Sequence, residues 1–111
     1  MIKSGLWVAA HVRRCHNEGL SCAIVRRGAE EAGTVFIRVI DREGKAALFA
    51  PAPGPTYDDE GRRRWRNVSG GFVTLAETDA KILRETAIDP DIWIVDIDDP
   101  KGTGLLDVIV A

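Results

Sequence analysis

The sequence predicts an α+β fold: an antiparallel sheet of four to six strands with two helices on one face, in the order α-β-β-β-(β)-α-β-(β). Three observations carry this expectation. Two stretches place apolar residues at helical spacing, one near the start of the chain and one past its middle. Between and after them lie short runs of β-branched residues. The breaks between those runs are of hairpin length, which favours antiparallel pairing. At 111 residues, 45% hydrophobic and 29% charged, residues 1–111 read as a single domain with one modest core.

The first helix is expected from Leu6 to Glu18, with Ser4 as N-cap and Gly19 as the residue past its end. At 100° per residue Val8, Val12 and Cys15 share one face, with Ala9 beside them. A second stripe holds Trp7, His11, Arg14 and Glu18 and is not a plain solvated face. Leu20 to Val25 reads as a strand closed by Arg26, Arg27 and Gly28. Thr34 to Asp41 is the clearest strand, with Val35, Ile37 and Val39 on one face and Phe36, Arg38 and Ile40 on the other. Asp41 to Gly44 is a turn, and Lys45 to Ala50 returns as the antiparallel partner. Prolines 51, 53 and 55 end that strand, because proline has no N–H for a ladder. Tyr57 to Gly61 is a solvated loop, and Arg62 to Val68 an edge-type strand.

Thr74 and Glu77 form a capping box that opens the second helix. Ala76, Ala80, Leu83 and Ala87 then recur at helical spacing, widened by Ile82, as its core stripe. Asp89-Pro90 stops it, since the residue before proline is pushed out of the α region. Asp91 to Asp98 is a strand with Trp93, Val95 and Ile97 toward the core, and Leu105 to Val110 is expected to pair back. Two helices on one face leave Phe36 and Ile40 on the other, and that apolar remainder predicts a partner such as a second copy of the chain.

The formal charge is −2, but residues 1–50 carry eight cations against five anions while residues 51–111 carry seven against twelve. This excludes a globally basic nucleic-acid binder and wholesale disorder. No apolar run approaches the ~20 residues of a membrane helix, so no membrane role is expected. Two cysteines are too few to staple a secreted domain, and the short stretch Leu6 to Ala10 lacks the form of a signal peptide; the cytoplasm is the expected compartment.

The segments WVAAHVRRC (Trp7 to Cys15), VRRGAEEAG (Val25 to Gly33) and DPDIWIVDIDD (Asp89 to Asp99) together resemble a small alphaproteobacterial family, domain of unknown function fourteen-ninety-one. The resemblance runs from about Lys3 to Asp99 and implies a compact intracellular protein with no assigned activity. It supplies no catalytic residues.

The residues themselves offer few sites. His11 and Cys15 stand four apart on the first helix with Cys22 nearby, but they point in different directions and no CxxC or HxxxH pair supports zinc. Asp96 and Asp98 share a strand face and Asp99 follows, which could hold a hard divalent cation for an enzyme; plain alternation at a strand end accounts for them better. Gly102-Thr103-Gly104 is a turn rather than a phosphate loop. No nucleophile elbow is present. The sharper signal is Arg62 to Arg66, where Trp65 sits among Arg63, Arg66 and their neighbours as backbone neutralisation and base stacking require. Arg13, Arg14, Arg26 and Arg27 could join it, although Asp58, Asp59 and Glu60 upstream can pair with these cations. The stripe Trp7, His11 and Arg14 suits a protein interface, because Trp and Arg are the residue types that anchor hot spots.

The sequence therefore predicts an interaction module, self-associating and without catalysis, that binds through Trp7, His11, Arg14, Arg26, Arg27, Arg63, Trp65 and Arg66. The partner is another copy or another protein, with nucleic acid the alternative and a divalent-metal enzyme behind it. No catalytic residue, metal ligand or cofactor is assigned.

Overall fold

The computed structural model describes residues 2–110. In chain order the elements are α1 (Ser4–Asn17), β1 (Ser21–Arg26), β2 (Val35–Ile40), β3 (Ala46–Pro51), β4 (Arg64–Asn67), α2 (Leu75–Ile88), β5 (Trp93–Asp98) and β6 (Val108–Val110). The six strands form one open sheet in the order β1-β5-β2-β3-β4-β6. Pairs β1/β5, β2/β3 and β3/β4 are antiparallel; β2/β5 and β4/β6 are parallel. The α+β class, the two helices and the mostly antiparallel sheet are as expected. No helix among the described residues is long and apolar enough to cross a membrane.

The helices do not share a face, and this corrects the expected arrangement. Val8 and Cys15 of α1 pack on Val35, Ile37, Val39, Trp93, Val95 and Ile97. Ile82 of α2 packs instead with Phe36, Leu48 and Ile94, which point the other way by strand alternation. The physical reason lies in β2 and β3, each buried on both faces along nearly its whole length. A sheet centre apolar on both sides needs a cover on both, so each face takes one helix. Phe36 is thereby buried beneath α2, and the bare sheet face that called for a partner does not exist in that form.

Helix α2 also sits in a different phase from the one its periodicity predicts. Ala76, Ala80, Leu83 and Ala87 face solvent, while Thr78 is fully buried and Lys81, Ile82 and Glu85 turn toward the sheet. Arg38 sets this phase. Its side chain, 10% exposed, holds both oxygens of Asp96 at 3.0 and 2.8 Å, donates to Thr78 Oγ1 at 3.2 Å and makes a close ion pair with Asp79. A buried guanidinium must find acceptors, and Asp79 and Thr78 can supply them only if α2 turns that side inward.

The caps follow local chemistry. Thr74 Oγ1 accepts from the Glu77 N–H at 3.2 Å, which is the N-cap half of the expected capping box. Ser4 is not the cap of α1; it is the first helical residue, and its hydroxyl donates to the Gly33 carbonyl at 2.6 Å. The last strand does not pair back on β5. After the Asp99–Gly104 turn the chain crosses over and lays Val108–Val110 parallel to β4, so β4 is not an edge and β6 is.

Candidate functional site

Trp7, His11, Arg63 and Trp65 meet on the α1 side of the sheet. Trp7 and His11, four apart on α1, stack with centroids 4.7 Å apart and planes 12° from parallel. Trp65 reaches Trp7 from β4, 5.4 Å away and tilted at 48°. Arg63, two residues before Trp65 and therefore on the same side, places its guanidinium carbon 4.8 Å from the Trp7 ring, 5.5 Å from Trp65 and 5.8 Å from Tyr57. Tyr57 comes from the loop after β3, which an isolated bridge to Arg63 draws in.

The electrostatics of this cluster are one-sided. Arg63 has no ion pair among the described residues, and its Nε and Nη1 are buried without a hydrogen-bond partner there. Burial pushes its pKa down, with only the Tyr57 phenol acting the other way. His11 is buried as well; its Nε2 lies 2.9 Å from the Gly104 carbonyl, so that nitrogen carries the proton. Burial is the main cause that lowers the His11 pKa, with nearby Arg14 adding to it against Gly104 and Asp107. Arg14 donates to the Leu105 carbonyl and to Asp107, both at 3.3 Å.

Two openings flank Arg63. One, of about 150 Å³, lies among Trp7, His11, Trp65 and Leu105. The other, of about 440 Å³, runs from Ser4 at the amino end of α1 past Thr34 to Thr56 and Tyr57.

The remaining predicted binding residues lie elsewhere. Arg26 donates to the Pro90 carbonyl at 2.9 Å, and Arg27 lies 5.3 Å over Trp93 and 3.7 Å from Glu30. Both belong to the junction where Trp93 Nε1 donates to the Ala29 carbonyl and where a Cβ on Gly28 or Gly33 would strike the Asp91 carbonyl. Arg66 turns to the other face, near Lys81 and Glu85 of α2. The basic run is thus divided by its own alternation: Arg62 pairs with Asp58 at 2.9 Å and Glu60 at 3.4 Å, and Arg64 donates to the carbonyls of Pro53 and Pro55. Of the other arginines, Arg14 lines the smaller opening together with Arg62 and Arg63, whereas Arg26 and Arg27 stay at the Trp93 junction.

The acidic group near the end of β5 is similarly dispersed. Asp96 is held by Arg38, whereas Asp99 is 3% exposed and accepts from Lys101 N, Thr103 N, Thr103 Oγ1 and Gly104 N at 2.8–3.0 Å. Among the described residues no three His, Cys, Asp or Glu side chains converge as metal ligands. Sequence reasoning missed Tyr57, read as a loop residue; a lone aromatic in an otherwise polar loop was the available signal.

No curated protein matches the sequence. Residues 2–107 match the family described as "Protein of unknown function (DUF1491)". Solved structures agree. The crystal structure of a DUF1491 family protein from Caulobacter crescentus is similar at a TM-score of 0.82 and 33% identity, covering 99% of this chain and 100% of that one. The NMR structure of a DUF1491 family protein from the same organism gives 0.81 and 33%, over 99% and 97% of the two chains. The solution structure of protein Atu0922 from A. tumefaciens gives 0.80 and 36%, again over 99% and 97%. A family match over nearly the whole sequence and a shared fold at more than 30% identity lead to one conclusion: the chain belongs to the DUF1491 family, whose function is unknown.

Proposed function

We propose that this single domain is a small cytoplasmic binding module that associates with a second copy of itself and carries out no reaction of its own. The observation that carries this reading is the outward stripe of α2. Leu83 is 71% exposed, on a helix whose Ala76, Ala80 and Ala87 also face outward. Amphipathic helices normally bury such a stripe, and here the Arg38 contacts hold the other side against the sheet. The stripe is self-complementary. Two copies of α2 laid antiparallel about a two-fold axis at mid-helix bring Ala76 opposite Ala87 and Ala80 opposite Leu83. The low cysteine count supports a reducing compartment.

Sedimentation velocity over a concentration series tests the association. The expected result is a species near twice the 12.1 kDa of the chain, dispersed to monomer by Leu83→Glu, which sits on the exposed side and leaves the core intact. A wild-type protein monomeric at every concentration overturns the proposal.

A further inference from the structure

We infer that Arg63 anchors a binding site for a small organic oxyanion, a carboxylate or phosphate monoester on a flat apolar body, seated in the cleft between the amino end of α1 and the Thr56–Tyr57 loop. This goes beyond self-association and does not depend on it, since the cleft and α2 lie on opposite faces of the sheet.

The argument starts from charge. Every acid close to the cluster is engaged away from Arg63: Asp58 and Glu60 with Arg62, Asp107 with Arg14, and Glu31 with Lys3 at 3.7 Å. A half-buried guanidinium among three aromatic rings gains from their faces, but the rings do not neutralise it. Arg62 and Arg64, its chain neighbours, each find oxygen acceptors, whereas Arg63 has none among the described residues; its Nε and Nη1 are closed off from solvent, which leaves Nη2 as the nitrogen a ligand can reach. An anion is the group whose charge and acceptors complement this guanidinium.

Shape and lining narrow the class. The cleft of about 440 Å³ falls within the size range of small-molecule sites. Ile2, Pro51 and Tyr57 give it apolar walls, while Thr34 and Thr56 supply hydroxyls. Ser4, on its wall at the amino end of α1, is already engaged, its N–H donating to the Glu31 carbonyl and its hydroxyl to the Gly33 carbonyl, so the recognition falls to Arg63 and the threonine hydroxyls. Glu31 also lines the cleft, 3.7 Å from Lys3, and its charge disfavours an extended polyanion such as nucleic acid while one small anion can sit at Arg63. The guanidinium fork matches carboxylate and phosphate alike.

The test is a titration of the isotope-labelled full chain, followed by ¹H–¹⁵N NMR, with benzoate in one arm and phenyl phosphate in the other, each against sodium chloride at equal ionic strength. The expected result is a saturable shift of the Arg63 Nε–H and of the Thr34, Thr56 and Tyr57 amides in at least one arm, with affinity in the millimolar range or tighter. The arm that binds more tightly identifies the source of the oxyanion. Arg63→Gln should weaken binding about tenfold or more, the effect of losing a charge-assisted contact. Thr56→Trp, which fills the exposed cleft and leaves Arg63 in place, should abolish it and serves if the first variant does not fold. Shifts no larger than the chloride control in both arms, or undiminished binding by either folded variant, overturn the inference.

Discussion

Replacing Asp99 by alanine probes how the turn after β5 supports the aromatic cluster. The Asp99 carboxylate accepts four hydrogen bonds, at 3.0 Å from Lys101 N, 3.0 Å from Thr103 N, 2.8 Å from Thr103 Oγ1 and 2.9 Å from Gly104 N. Hydrogen bonds to a charged group contribute about 1.5–3 kcal/mol each, but Lys101 and Thr103 are exposed and water can replace the acceptor there. Gly104 is buried, so its N–H stays unsatisfied in the variant. The net loss should be about 3 kcal/mol, which for a domain of this size lowers Tm by on the order of 15 °C. Urea unfolding followed by tryptophan fluorescence measures it. The effect has a pH signature. Burial raises the Asp99 pKa, but the hydrogen bonds from Thr103, Lys101 and Gly104 together outweigh it and hold the carboxyl below its usual range. A depressed carboxyl pKa stabilises fully above the unfolded value of about 3.9, and that contribution is lost as pH falls through the lower folded value. The gap between wild type and Asp99→Ala should therefore be full at neutral pH and close in acid. A difference below about 1 kcal/mol at pH 7, or one that grows on acidification, refutes the reasoning.

Two further predictions concern buried polar groups. His11, its pKa lowered chiefly by burial, should titrate below 6.5 by NMR with the proton on Nε2. Its neutral form then stabilises the fold fully above that unfolded value and progressively less as pH falls toward the folded one; titration at or above 6.5 contradicts the packing described. Arg38→Met strands the mostly buried Asp96 without its cation, while water solvates the exposed Asp79, and should cost about 3 kcal/mol. Pairing it with Asp96→Leu should restore much of that in urea unfolding, and a double variant no more stable than Arg38→Met would assign the loss to packing instead.

The parts of this fold written in local pattern were legible in the sequence. Trp7, His11 and Arg14 fall on one stripe by helical spacing, and the structure keeps Trp7 and His11 stacked with Arg14 one turn on. The N-cap at Thr74 and the hairpin at Gly44, with its φ of +76°, needed only neighbours in sequence. What escaped depended on distant residues. The phase of α2 is set by Arg38, 41 residues before Asp79, and an alanine-leucine stripe cannot announce that a buried guanidinium has claimed the opposite side. The parallel docking of β6 on β4 is likewise invisible to a reading that expects neighbours to pair. At the cluster, the run Arg62 to Arg66 looked like one basic patch, while strand alternation and the acceptors on Pro53, Pro55 and Asp58 sort it into separate roles.

The position of β5 has a consequence for how the chain is made. It is the second-last strand to be synthesised, yet it lies between β1 and β2 and joins them, pairing Ser21 with Asp98 and Val35 with Trp93. While translation proceeds, the β2–β3–β4 meander can assemble as it emerges, but β1 has nothing to zip onto until Trp93–Asp98 clears the ribosomal tunnel. Nascent chains halted before that point hold two greasy, unzipped borders, and they are the species on which chaperone capture or clumping should concentrate.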